Sequence, residues 1–138
     1  MQPTSITVQT AVAAPIAKVW NNYTGADHIT RWNFADAGWH CPRVTNDLRV
    51  GGTYHARMEA RDGTYGFDLE ATYDEVVDHE KITYTLTDGR KVITTFTEKG
   101  GKTDVTIAFD VEKDNSAEAQ QQGWQAILNN FRDYVEKE

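Results

Sequence analysis

Residues 117–137 read AEAQQQGWQAILNNFRDYVEK, and this stretch decides the fold. Trp124, Ile127, Leu128, Phe131, Tyr134 and Val135 recur at spacings of three and four, which sets them on one stripe of an α-helix. Asp114, Asn115 and Ser116 stand just before it, and all three are residue types that cap helix N-termini. Roughly 20 residues rising 1.5 Å each make a rod of about 30 Å. A helix that long, with one apolar stripe, needs a broad apolar surface to lie on. The rest of the chain must supply it, and the rest reads mainly as strands.

Working back towards the N-terminus, strand signals come at short intervals. The pair Lys91–Glu98 and Thr103–Val111 is joined across Lys99-Gly100-Gly101-Lys102, and Asp88-Gly89 is a strong hairpin turn because both residue types tolerate φ > 0. Lys81–Leu86 sets Ile82, Tyr84 and Leu86 on one face, and Asp78-His79-Glu80 reverses the chain before it. Thr64–Val77 alternates through Tyr65, Phe67, Leu69, Ala71 and Tyr73. Beyond the turn Arg61-Asp62-Gly63, Thr53–Ala60 sets Tyr54, Ala56, Met58 and Ala60 against His55, Arg57 and Glu59. A short strand over Arg43–Leu48 and the alternating Ser5–Val12 bring the number to about seven.

Between the first two strands the period changes. Ala14-Pro15 opens a helix, since proline is preset for a first turn, and Ile16, Val19, Trp20 and Tyr23 share a face. Thr24-Gly25 breaks it, and Ala26–Trp32 reads as a second short helix with Ile29 and Trp32 inward. Residues 31–42, RWNFADAGWHCP, then leave the helical pair before strands resume near Arg43. With no internal repeat, low-complexity tract or linker, residues 1–138 are expected to form one domain. The class is α+β: a curved antiparallel sheet, two short helices after the first strand, and a long C-terminal helix packed over the sheet.

Tyr54, Met58, Phe67, Leu69, Tyr73, Tyr84, Phe96, Ile107 and Phe109 fall on one sheet face, while Thr, Lys, Arg, Asp and Glu fill the other. Only Val92–Thr97 has an uncertain phase, because Val92 and Ile93 both favour burial. One helix cannot fill a strongly curved sheet along its whole length, and tyrosine hydroxyls need partners. A void is therefore expected among these rings.

Composition narrows the function. Fourteen basic against twenty-one acidic residues give a net charge of −7, which repels phosphate backbones, and no Lys/Arg cluster offsets it; nucleic acid is excluded as a partner. The acid is concentrated late, with seven acidic and three basic residues from Asp110 to Glu138; this is a solvated helix face or a docking face for a basic partner. No apolar run approaches the roughly 18 residues needed to cross a bilayer, so no membrane insertion is expected. The start, MQPTSITVQT, lacks the basic and apolar regions of a signal peptide. A lone cysteine, Cys41, forms no internal disulfide and fits a reducing interior. A cytoplasmic protein is expected.

The ordered set of motifs resembles the activator of heat-shock-protein-90 ATPase homologue family, within the START-like, or SRPBCC, superfamily of helix-grip domains. The residues carrying the resemblance are Ala14-Pro15 with Val19-Trp20, then Asp47-Leu48-Arg49-Val50-Gly51-Gly52, then Tyr73-Asp74-Glu75-Val76. Thr103-Asp104-Val105-Thr106 and Gly123-Trp124 with Leu128 complete it, so the resemblance spans nearly the whole chain. Gly51-Gly52 permits a sharp bend where the sheet starts, Gly123 lets the helix approach the sheet, and Asp47 and Arg49 suit a structural ion pair. The family often has Gly where Ala71 stands and Trp-Phe where Trp32-Asn33-Phe34 stands, so ligand identity does not carry over. The resemblance implies a cavity-bearing domain. Some superfamily members bind lipids, hormones or polyketides, and a few cyclise or dehydrate them. Eukaryotic relatives activate the chaperone through an additional N-terminal domain, which 138 residues leave no room for.

Chemistry read from single residues is sparse. His40 and Cys41 fall short of zinc, which needs three or four ligands, and Cys41 lacks an orienting partner for nucleophilic work. No metal or cofactor is expected. His55, Arg57 and Glu59 share a strand face and Asp68 and Glu70 alternate on the next, which reads as ion pairing on the solvated side unless the register slips by one. The site expected is a hydrophobic pocket for a ring-containing or lipid-like small molecule. Trp32, Phe34 and Trp39 form its mouth, with Asn33 and His40 as polar handles. Tyr54, Met58, Phe67, Leu69, Tyr73, Tyr84 and Phe96 contribute from the sheet, and Trp124 and Phe131 from the terminal helix. The alternatives are a polyketide cyclase- or dehydratase-like enzyme, which needs His40, His55, Glu59 or Glu70 turned into the void, and a co-chaperone or stress-response partner docking through the acidic helix.

Overall fold

The computed structural model describes residues 5–113 and 115–137. The first strand is β1 (Ser5–Val12), whose Val8 and Val12 are buried between exposed neighbours. Pro15 sits at the N-cap of α1 (Ile16–Thr24), and Val19 and Trp20 are buried. Gly25 ends it, because the chain turns so tightly that a Cβ there would lie 3.0 Å from the Asn21 carbonyl oxygen and from the His28 ring. α2 (Ala26–Ile29) is a single turn with Ile29 inward. Six strands follow: β2 (Trp39–Asn46), β3 (Thr53–Ala60), β4 (Gly66–Val77), β5 (Lys81–Leu86), β6 (Lys91–Lys99) and β7 (Lys102–Asp110). The last element is α3 (Ala117–Lys137).

All pairings are antiparallel and the sheet order is β1-β7-β6-β5-β4-β3-β2, so α1 and α2 carry the chain from one edge of the sheet to the other. β2 through β7 form a meander, and β1 closes against its last strand. Register breaks between His40 and Arg43 and between Tyr73 and Glu75 mark bulges that add local bend, consistent with the curled half-barrel shape. This is the helix-grip architecture expected from the pattern of elements. Among the described residues no helix is long and apolar enough to cross a membrane.

The core side of the sheet is the expected one. Met58 pairs with Phe67, Ala56 with Leu69, and Tyr73 with Tyr84; all but Phe67 join the core, and Phe67 borders the cavity while 40% exposed. The phase of β6 is settled by burial: Val92, Thr94 and Phe96 turn inward, while Ile93 is exposed. β2 begins at Trp39, four residues earlier than the sequence pattern suggested. Trp39 and His40 pair with Ala60 and Glu59 before the bulge, and a bulge hides a strand from a period-two reading.

Gly51 takes φ +83°, and a Cβ on Gly52 would fall 2.0 Å from the Asp47 carbonyl oxygen, so the bend before β3 requires both glycines. Arg49 and Asp47 form the expected ion pair, at 2.9 Å and largely exposed. Gly123 differs from its expected role. A Cβ there would meet nothing within 4 Å, so no close approach to the sheet depends on it. Asp114, expected to help cap α3, lies outside the described residues; Ser116 provides the cap, its Oγ accepting from the Ala119 N–H at 3.1 Å.

α3 lies along β1 rather than across the middle of the sheet. Gln125 donates to the Gln9 carbonyl at 3.0 Å and Arg132 to the Thr10 hydroxyl at 3.4 Å. The inner face of β3–β5 therefore has no helix backbone directly above it, and this asymmetry positions the site.

Candidate functional site

A cavity of about 260 Å³ occupies the space between β3–β5 and α3. Its walls are mainly rings and aliphatic chains. Tyr54 and Met58 come from β3, Leu69 and Tyr73 from β4, Ile82, Tyr84 and Leu86 from β5, and Ile107 from β7. Trp124, Ile127 and Leu128 of α3 close the opposite side, with Trp124 stacked on Phe109 at 4.3 Å. Tyr23, Thr24, Trp32, Asn33 and Asn46 border the end nearest the helical pair.

Four tyrosines bring hydroxyls to this apolar space. Burial pushes Tyr23 up to about 12, and holds Tyr54, Tyr73 and Tyr84 well above the ordinary phenol value, so all four are neutral hydrogen-bonding groups near neutral pH. Tyr73 donates to Asn46 Oδ1 at 2.5 Å, and Asn46 Nδ2 in turn donates to the Thr24 carbonyl at 2.8 Å. Tyr23 pairs with Thr94 Oγ1 at 3.1 Å. Asn33 Nδ2 donates to Tyr54 Oη at 3.4 Å.

The opening lies where the sheet comes apart. β5 joins β4 only from the pair Leu86–Ala71 onward, so Gly66–Glu70 of β4 runs on with β3 as its one strand neighbour. A shallower depression of about 460 Å³ fills that gap and shares Phe67, Leu69, Leu86, Arg90 and Glu112 with the cavity. Arg90 Nε is held by Asp88 at 2.7 Å, and its Nη1 lies 3.7 Å from Glu112. Buried Gln120 fixes the loop bearing Glu112, accepting from the Glu112 N–H at 2.8 Å and donating to its carbonyl at 2.9 Å.

Of the residues singled out in the sequence, Trp32, Asn33, Tyr54, Met58, Phe67, Leu69, Tyr73, Tyr84 and Trp124 border the cavity. Five do not. Phe96 and Phe131 are inward but fill an aromatic floor with Trp20, Tyr23 and Trp32: Phe131 lies 4.9 Å from the Trp32 ring and 5.2 Å from Tyr23, and Phe96 lies 5.2 Å from Trp20. Phe34 is half-buried against the core, and its carbonyl accepts from Asn130 at 2.8 Å. Trp39 lies past the cavity's end, edge-on to Tyr65 and Phe67 at 5.8 and 6.0 Å. His40 points to the outer face, 3.7 Å from Glu59. Arg90 and Glu112 lie where the cavity meets the outer depression, while Trp32 and Asn33 of the Trp-rich segment border it at the end nearest the helical pair.

Residues of the walls that the sequence reading passed over fall into two kinds. Tyr23, Ile82, Leu86, Ile107, Ile127 and Leu128 lie on apolar faces that periodicity does reveal. Thr24, Asn46, Arg90 and Glu112 sit at element ends, where no period operates.

The outer face carries the charged groups. His55 lies 3.0 Å from Asp68 and 3.8 Å from Glu70, while Arg57 bridges Glu59 at 2.9 Å and Asp68 at 3.1 Å. The Arg57 hydrogen bond lowers Glu59, and the His55 hydrogen bond lowers Asp68. Buried Cys41 has a thiol raised by burial, which opposes the thiolate a nucleophile needs. Among the described residues, no three His, Cys, Asp or Glu side chains are grouped to hold a metal.

Residues 13–136 match the protein family described as Activator of Hsp90 ATPase homolog 1-like protein. Among curated proteins none matches the chain. An AHSA1-like protein from Aeromonas hydrophila, solved in solution, is 37% identical over 96% of this chain and 92% of its own, with a TM-score of 0.90. Chr148 from Cytophaga hutchinsonii is 45% identical over 96% of this chain and 92% of its own, with a TM-score of 0.84. CalU16 from Micromonospora echinospora, at 17% identity over 95% of this chain and 75% of its own, has a TM-score of 0.72 and shares the fold alone. With the match covering nearly all of the sequence and the helix grip in place, the chain belongs to the activator of Hsp90 ATPase homolog 1-like family.

Proposed function

We propose that this protein binds a small, largely apolar, ring-containing molecule between β3–β5 and α3. The observation that carries the reading is the cavity of about 260 Å³, walled by aromatic and aliphatic side chains and open at one end. An apolar cavity of about 150 Å³ already accepts benzene, whereas drug-sized ligands use about 300–1,000 Å³. The volume therefore suits one or two fused rings and is too small for a long-chain lipid. Trp32, Asn33, Tyr54, Met58, Leu69, Tyr73, Tyr84 and Trp124 are the residues we assign to binding.

Binding fits better than acid–base catalysis. His40, His55, Glu59 and Glu70, the groups a cyclase-like reading would draw on, lie in the outer-face network. The ionisable groups bordering the cavity besides the tyrosines, Arg90 and Glu112, are engaged at its opening.

A thermal-shift screen of one- and two-ring compounds, followed by native mass spectrometry, tests the proposal. A ligand at 100 times its Kd adds about 2.7 kcal/mol of stability. Leu69→Trp, at the half-buried opening, is expected to abolish that gain while leaving the unliganded melting temperature within a few degrees. A screen without a binder, or a Leu69→Trp variant that binds as well as the parent, would count against an internal site.

A further inference from the structure

Two of the four cavity phenols have no acceptor for their hydroxyl hydrogens among the described residues. Tyr54 on β3 and Tyr84 on β5 stack across β4, with ring centroids 5.8 Å apart and planes at 15°. They meet there because Ala71, the β4 residue paired with Tyr54, is small. Tyr54 is 8% exposed and Tyr84 9%, and both border the cavity. Tyr73 and Tyr23 have protein partners in Asn46 and Thr94. The Tyr54 oxygen accepts from Asn33, which occupies a lone pair and leaves its own O–H without an acceptor. The Tyr84 hydroxyl has no hydrogen-bond partner among the described residues, and it is not sealed off from the cavity. No buried side-chain N or O atom among the described residues is left without a partner, so these hydroxyls stay open to the cavity, and donors that lack a protein acceptor there match a ligand that brings one.

The approach to the cavity adds a second constraint. Asp68, Glu70, Asp88 and Glu112 line the outer depression; Arg90 is engaged by Asp88 and Glu112, and Arg57 bridges Asp68, which leaves four carboxylates facing two guanidinium groups. A doorway of this sign, on a chain of net charge −7, opposes carboxylates and phosphates.

We infer that the ligand is an uncharged, flat ring compound bearing a carbonyl-type oxygen, and that Tyr84 and Tyr54 donate their hydroxyl hydrogens to that oxygen. The inference rests on the binding reading above and narrows its chemistry. Neither phenol is asked to ionise; each supplies a neutral hydrogen bond where no water-like partner is provided by the protein.

Three compounds of similar shape separate the possibilities: tetralin, 1-tetralone and 1-naphthoate, each titrated into the full chain and followed by backbone amide NMR shifts. The ketone is expected to bind about tenfold more tightly than the hydrocarbon, the gain of one to two buried hydrogen bonds, and the carboxylate most weakly. Tyr84→Phe and Tyr54→Phe should each reduce the ratio of ketone to hydrocarbon affinity, and the double variant should bring that ratio close to one. Equal binding of ketone and hydrocarbon, or a ketone preference that survives in full when both tyrosines are changed to Phe, overturns the inference while leaving the cavity reading intact. Tighter binding of 1-naphthoate also overturns it. Binding of none of the three removes both. The ligand series on the unaltered chain decides the matter even if a variant fails to fold.

Discussion

A Cβ placed on Gly52 would meet the Asp47 carbonyl oxygen at 2.0 Å and that of Arg49 at 3.0 Å. Backbone atoms cannot yield as a flexible side chain can, so Gly52→Ala must open the bend that joins β2 to β3. That bend also pairs with β4, through Gly51 N–H to the Tyr73 carbonyl at 2.9 Å and Tyr73 N–H to the Gly52 carbonyl at 3.0 Å. We expect Gly52→Ala to lower stability by about 2–3 kcal/mol. Gly123 presents the opposite case, mid-helix with open space where a methyl would go, and Gly123→Ala should raise stability by up to about 1 kcal/mol. Urea unfolding of the two variants checks both signs. A destabilised Gly123→Ala would mean that the helix backbone does approach another surface. Both glycines stand out equally in the sequence; the neighbours that separate them come from distant parts of the chain.

At the scale of the element, α3 is held by its stripe more than by its cap. Leu128, Phe131 and Val135 are essentially inaccessible, whereas the Ser116 cap is exposed. Ser116→Ala is expected to cost about 1 kcal/mol and Leu128→Ala about 2–5 kcal/mol, the latter with the residual void added to the cavity. Comparable losses in chemical denaturation would contradict this ordering. The stripe was fully legible in residues 117–137, because a period of 3.6 reports which side of a helix is buried. That the helix lies along β1, and so leaves β3–β5 unroofed, depends on the curl of the sheet and has no counterpart in the helix's own sequence.

For the whole molecule, the buried phenols and the outer-face carboxylates limit stability at opposite ends of the pH scale. Tyr23, pushed up to about 12, stays protonated when folded while an unfolded chain ionises near 10. Its contribution is present below pH 10 and is lost as pH rises from there towards 12. Tyr54, Tyr73 and Tyr84 are raised in the same direction by burial. Tyrosinate absorbance from these four residues should therefore grow together with cooperative loss of the sheet's circular dichroism, above pH 10. Reversible ionisation of all four with the fold intact would show that they are hydrated. Asp68 and Glu59 are lowered by His55 and Arg57, so their contribution is present above the ordinary carboxylate range and fades as pH falls through their folded values. Because that network is exposed, high salt should weaken it, and His55→Ala should shift acid unfolding slightly while leaving alkaline unfolding unchanged.

The sequence by itself determined the elements, the inward side of the helices and of most strands, the single sheet closed by a terminal helix, and the family. These follow from periods of 2 and 3.6 and from turn chemistry, which act within a dozen residues. Only the tertiary structure decided which inward rings pack solidly and which enclose space. Phe96 and Phe131 are inward by their own periods and buried like Tyr84, yet they fill the floor under α1, because that is where the helices meet the sheet. It also decided that the opening is guarded by Arg90 and Glu112, two loop residues brought together where β6 begins beside the end of β7. Periodicity records the face on which a side chain lies; where two faces fail to meet depends on strand lengths, bulges and twist summed over the whole sheet.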